Sequence, residues 1–182
     1  MRVHTPVPAS QIRAVILVGF MGAGKTSVGR ALSRQLGWSF EDLDDRVQSR
    51  ERRSIEAIFR ESGETGFRQA EHQALRELIS GLNDFPQIIA LGGGAFVQPE
   101  NDALLEASEI KTIFLDGSAD ELFRRCQEQS LERPLRSDAE NFRTLYEKRR
   151  PHYLKASLRI ETQGKSVDAI AKEVAAALGI GA

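Results

Sequence analysis

The sequence predicts an α/β domain, a parallel β-sheet with helices layered on both of its faces. Two observations predict it. Strand-like and helix-like segments alternate along the chain, the pattern of βαβ units. The first strand candidate, Val15-Ile-Leu-Val18, is a continuous apolar run, as strands covered on both faces are, and it runs straight into a glycine-rich turn and a helix. A chain of 182 residues can bury a proper core as one domain without covalent staples.

Strands are expected at 14–18, 38–41, 88–91, 112–115 and 158–161. The first helix carries Val28, Ala31, Leu32 and Leu36 on one face and has Gly37 where a C-terminal cap belongs. Pro99-Glu100 opens another, with Leu104 and Leu105 inward. Ser118-Ala-Asp-Glu121 reads as a capping box before a helix with Leu122 and Cys126 on one face. Ser166 caps a last helix whose apolar face is Val167, Ile170, Val174 and Leu178. The span between the second and third strands is longer than one crossover needs. It reads as helices over 43–50, 55–61 and 65–82, and residues 43–82 are expected to form a substrate-binding insertion. Residues 1–12 read as a flexible leader, because they carry two prolines and no apolar segment of a signal peptide.

Composition narrows the function. A net charge of −1 provides no field to recruit nucleic acid or an anionic membrane. A single cysteine, Cys126, rules out an internal disulfide framework and suits a reducing, cytoplasmic location. The three histidines form no zinc-ligand spacing with it. No apolar stretch approaches the roughly 20 residues of a membrane span.

Five stretches carry chemistry. Gly19-x-x-x-x-Gly24-Lys25-Thr26 matches a phosphate-binding loop between a strand and a helix. Its glycines let backbone N–H groups approach phosphate oxygens, Lys25 can reach the β- and γ-phosphates, and Thr26 can offer its hydroxyl to Mg²⁺. Asp42-Leu43-Asp44 follows the second strand, and alternation in an extended segment puts both carboxylates on one side. One carboxylate can serve a metal and the other a substrate hydroxyl, whose proton it accepts. A solvated acidic turn is the alternative, with Glu41 and Asp45 nearby. Gly63-Glu-Thr-Gly-Phe-Arg68 with Glu71 places Arg68 and Glu71 on one helix face. The pair either holds the guanidinium as a fork for a carboxylate or is an ordinary surface ion pair. Gly92-Gly-Gly94 follows the third strand and lets the backbone come close to a ligand, or makes a tight turn. Seven arginines fall between residues 124 and 150, and the polar stretch 127–140 around Arg133-Pro134 reads as a mobile flap that delivers cations on closure. Arg124, Arg136, Arg143 and Arg150 read as solvated helix-face charges.

Taken together, these motifs resemble the shikimate kinases over roughly residues 13–178. The resembling segments are Gly19–Thr26, Phe40-Glu-Asp42-Leu-Asp44, Ile58-Phe59 with Gly63-Glu-x-x-Phe67-Arg68-x-x-Glu71, Ala90-Leu-Gly92-Gly-Gly94, Arg133-Pro-Leu135 and Arg149-x-Pro151-x-Tyr153. The resemblance implies a P-loop kinase with sheet order 2-3-1-4-5 and a mobile lid over 127–140. It implies transfer of the γ-phosphoryl of ATP to the 3-hydroxyl of shikimate by a monomer. Gly22, Ala23, Gly24, Lys25, Thr26, Ser27, Arg125 and Arg133 would hold the nucleotide, with Lys25 and Arg133 on the transferring group. Thr26 and Asp42 would hold Mg²⁺. Asp44 would bind the shikimate hydroxyls and act as base or orienter. Arg68 and Arg149 would grip its carboxylate, Gly92, Gly93 and Gly94 would close the pocket, and Phe59 and Phe67 would wall the ring. Gluconate kinases share the fold and loop but lack the combined acceptor-site set. A nucleotide-binding module without turnover predicts loss of Asp44, Arg68 and Arg149, all of which are present.

Overall fold

A computed structural model describes residues 12–129 and 136–180. Its single sheet has five parallel strands in the order β2-β3-β1-β4-β5. They are β1 (Ala14–Val18), β2 (Ser39–Asp42), β3 (Gln87–Ala90), β4 (Lys111–Asp116) and β5 (Leu158–Glu161). Alternate residues of a strand face opposite sides, yet all of Ala14–Val18 is buried. Both faces of the central strand are therefore covered, which is why its sequence reads as an unbroken apolar run. Each such aliphatic side chain contributes about 1.5–3 kcal/mol on burial.

Helix α1 (Lys25–Leu36) ends on Gly37, which is left-handed at φ 68 and donates its N–H to Ser33 O. It packs on α7 (Val167–Leu178) and on β3. Ser166 caps α7 by accepting the Ala169 N–H at 3.2 Å. The buried face of α7 is Ile170, Ala171, Val174, Ala175 and Leu178; Val167, expected inward, is exposed.

The insertion holds α2 (Leu43–Glu51) and α3 (Ile55–Ser80). The break expected near residues 62–64 is a kink inside α3 at Gly63, with φ 66 and ψ −174. A Cβ there would meet nothing within 4 Å, so backbone conformation, and not crowding, calls for glycine. Beyond β3, α4 (Pro99–Ser108) has Pro99 in its first turn and Leu105 buried. Helix α5 (Ala119–Gln129) begins with Ser118 Oγ accepting the Glu121 N–H at 3.4 Å. The capping box is not reciprocal, because the Glu121 carboxylate pairs with Arg124 and Arg125.

Helix α6 (Arg136–Tyr153) opens inside the expected flap: residues 136–140 are helical, and 127–129 finish α5. The flap's centre, with Arg133, lies outside the described residues. So does the leader except Ile12, which is buried against the core. Observed strand edges differ from expectation by a residue or so. The shift matters at β2, which runs through Asp42 instead of stopping at Glu41.

Candidate active site

The site lies along the carboxyl ends of the strands, where ligands of open parallel sheets bind. The phosphate loop leaves β1 at Gly19. Gly22 has φ 77, and a Cβ on it would fall 2.5 Å from Leu122 O, so both backbone and packing demand glycine. Gly24, at φ 82, begins α1 with no side-chain cap. The first N–H groups of α1 are thus left for an anion at the positive end of the helix. Lys25 Nζ donates to Gly19 O at 2.9 Å and Phe20 O at 3.0 Å, folded against its own loop.

Asp42 and Asp44 converge on this loop by a route different from the one the sequence suggested. Asp44 is not extended; it lies in the first turn of α2, and Asp42 is that helix's N-cap. Asp42 Oδ1 accepts the Asp44 N–H at 3.0 Å, and its Oδ2 accepts the Thr26 hydroxyl at 2.7 Å. Burial pushes the Lys25 ammonium down to about 8, against the opposing pull of Asp44 and Asp42. Burial also raises the Asp44 carboxyl, and the charge of Asp42 adds to the rise, while Lys25 and Arg68 oppose it. A bound phosphate restores full charge on Lys25. Nucleotide affinity should therefore fall as pH rises above about 8, approaching tenfold per pH unit, with a proton taken up on binding. Calorimetry in two buffers of different ionisation enthalpy measures that proton, and pH-independent affinity up to about pH 9.5 would contradict the assignment.

A second cluster of charged side chains gathers on the glycine triplet after β3. A Cβ on Gly92 would lie 2.7 Å from Asp44 Oδ1 and 3.2 Å from Glu71 Oε1. A Cβ on Gly94 would lie 2.6 Å from Arg68 Nη2. Gly92 and Gly94 thus leave room for a carboxylate and a guanidinium to lie directly against the backbone, while Gly93 meets only ordinary contacts. Arg68 Nη1 donates to Glu71 Oε2 at 2.9 Å. That ion pair is no solvated surface bridge, since Glu71 is 1% exposed. Burial raises the Glu71 carboxyl and the Arg68 guanidinium pulls it back. Arg68 Nε and Glu71 Oε1 are buried with no protein partner, a mark of a site that completes itself with a ligand or water. Phe59 stacks on Phe67 at 4.6 Å, and the Arg68 guanidinium lies over Phe67. Arg149, on α6, lies over Phe20 at 5.9 Å, and its charge acts on both Glu71 and Tyr153.

Two supports had no role assigned from sequence: Tyr153, quoted only within the Arg149-x-Pro151-x-Tyr153 segment, and Asn101. Tyr153, fully buried, donates its hydroxyl to Gly93 O and packs on Phe114. Its place one turn after Arg149 was the available signal. Asn101, also fully buried, donates Nδ2 to Ala95 O at 2.9 Å, while its Oδ1 meets His72 Nδ1 at 2.8 Å, tying α3 and α4 to the turn below Gly94. Arg150 departs from expectation. It is not a solvated charge but pairs with buried Asp116 at 2.7 Å. Arg124 and Arg143 do make exposed surface pairs, the latter across helices to Asp120.

Arg125 donates to Glu121 Oε1 and to Thr162 O. It lines a cleft of about 370 Å³ with Gly22, Ser27, Gly164 and Val167. The cleft runs on from the phosphate loop, and the exposed Val167 lines it. Thr26 and Asp42 supply hard oxygen donors suited to Mg²⁺. Among the described residues no group of three or more His, Cys, Asp or Glu could hold a metal by itself.

A glycine-rich phosphate loop between β1 and α1 in a five-stranded parallel sheet of order 2-3-1-4-5 defines the P-loop kinase fold. Comparison narrows the class: the family model for shikimate kinase matches residues 21–179, and the chain belongs to the shikimate kinase family. It is 35% identical over 164 residues to the shikimate kinase of Persephonella marina, covering 90% of this chain and 97% of that one. It is 38% identical over 177 residues to that of Thermus thermophilus, covering 95% and 92%. The solved structure of shikimate kinase from Acinetobacter baumannii in complex with shikimate superposes with a TM-score of 0.82 at 30% identity, covering 93% of this chain and 95% of that one. A gluconokinase from Sinorhizobium meliloti, at 16% identity and a TM-score of 0.60, shares the fold alone. The chain is a phosphotransferase of the shikimate pathway.

Proposed function

We propose that the chain transfers the γ-phosphoryl of ATP to the 3-hydroxyl of shikimate with the residues assembled above. The observation that carries this reading is the glycine triplet, which presents Asp44 beside Gly92 and Arg68 beside Gly94. That spacing suits a small ring with a hydroxyl at one end and a carboxylate at the other.

The nucleotide phosphates lie on the Gly22–Ser27 backbone, Lys25 reaches them, and the base enters the cleft beside Arg125. Thr26 and Asp42 hold Mg²⁺, which when bound neutralises charge on the phosphate oxygens. Arg68 and Arg149 grip the shikimate carboxylate, the triplet forms the pocket floor, and Phe59 and Phe67 wall the ring. Asp44 orients the 3-hydroxyl and accepts its proton as the oxygen attacks. Catalysis is then mainly positioning and charge stabilisation, with no covalent intermediate on the protein. Arg133, from the segment that joins α5 to α6, adds a cation to the transferring group. The acceptor is a free small molecule, the chain acts as a monomer in the cytoplasm, and no helix among the described residues is long and apolar enough to cross a membrane.

The test is ADP formation against a panel of polyol acids. ADP should appear only when shikimate is added; equal rates with gluconate, or nucleotide binding without turnover, would favour the other readings. Arg68→Ala should raise the KM for shikimate by roughly tenfold to a hundredfold, with a smaller change in kcat, because a charge-assisted clamp contributes about 1.5–3 kcal/mol. An unchanged KM would remove Arg68 from the carboxylate site.

A further inference from the structure

We propose that Asp116 and Arg150 form a latch that sets the rotation of α6 and so aims Arg149 at the acceptor carboxylate. The latch rests on the reading of Arg149 given above. Asp116 is the last residue of β4 and only 3% exposed. Its Oδ2 lies 2.7 Å from Arg150 Nη2 and 2.8 Å from Arg159 Nε on β5. Tyr146, one turn before Arg150, donates its hydroxyl to Gly117 O at 2.9 Å and reaches Asp116 Oδ1 at 3.4 Å. One face of α6, Tyr146 with Arg150, thus grips the end of β4.

Successive helical residues are about 100° apart, so holding Arg150 fixes where Arg149 points. The neighbouring face carries Arg149 over Phe20 and Tyr153 onto Gly93 O. The gripped strand end also touches the phosphate loop: a Cβ on Gly19 would fall 2.8 Å from Leu115 O. Asp116 and Arg150 are positioning residues, since neither contacts the pocket glycines. Arg150 is the residue to change. Its removal leaves Asp116 paired with Arg159, so no buried carboxylate is stranded.

The experiment is a double-mutant cycle on steady-state constants: the unaltered chain, Arg149→Gln, Arg150→Gln and the double variant. Arg149→Gln should raise the KM for shikimate about tenfold or more. Arg150→Gln should raise it severalfold with the KM for ATP unchanged, and Arg150→Lys should recover most of the loss. The double variant should match Arg149→Gln alone, because the latch acts only through Arg149. Multiplicative effects, or an unchanged shikimate KM in Arg150→Gln, overturn the latch while leaving the Arg149 assignment standing. An unchanged KM in Arg149→Gln overturns the carboxylate assignment and the latch with it.

Discussion

Asp44→Asn is expected to lower kcat on the order of 10²-fold to 10⁴-fold, the usual contribution of a positioned general base. The amide keeps the volume packed against Gly92 and can still orient a hydroxyl, but it cannot take the proton. Burial already raises the Asp44 carboxyl, making it a better acceptor, with Asp42 adding to the rise and Lys25 and Arg68 opposing it. The substitution has a second consequence. Asp44 is the foremost charge holding the proton on buried Lys25, so its loss should move the alkaline limit of nucleotide binding below about pH 8. Single-turnover rates at saturating shikimate measure the first effect, and nucleotide titrations against pH measure the second. A loss of only a few fold in kcat would make Asp44 an orienter of the acceptor and not its base.

Lys25→Ala should reduce kcat by about 10²-fold to 10³-fold, the scale seen when a preorganised donor to developing charge is removed. The ammonium donates to Gly19 O and Phe20 O. The fold should survive, because the loop's shape is set by its glycines and by the contacts of Gly19 and Gly22 with the ends of β4 and α5. Circular dichroism and thermal melting check folding, and near-normal turnover would remove Lys25 from the chemistry.

The fold was legible because its strongest signals are physically redundant. The apolar run of β1, the phosphate loop and the face of α1 each demand the next. The sheet order came from resemblance, since strand periodicity carries no information about neighbours. Helix α6 was read in part as a flap because its first turns are polar. Its packing residues, Phe142, Tyr146 and Tyr153, recur at helical spacing, and Phe142 and Tyr146 meet Phe20 edge-on. Asp42 and Asp44 were found for a reason that did not hold. They share a site because a strand end becomes a helix N-cap, not because an extended segment alternates.

At the acceptor site, residue types were legible and burial was not. Sequence spacing paired Arg68 with Glu71 but could not tell a 1%-exposed carboxylate from a surface bridge. Nor could it show that Asp44 and Arg68 lie directly against Gly92 and Gly94. Arg150 was misjudged for a related reason: its partner Asp116 lies 34 residues away, beyond the reach of helix-spacing rules.

The most direct measurement is a crystal structure with shikimate and a non-hydrolysable ATP analogue bound together. The 3-hydroxyl should lie within about 2.6–3.2 Å of an Asp44 oxygen, pointing at the γ-phosphate beside Lys25, with the carboxylate between Arg68 and Arg149. Shikimate seated with its carboxylate away from both guanidinium groups, or with Asp44 turned from the hydroxyl, would contradict the account.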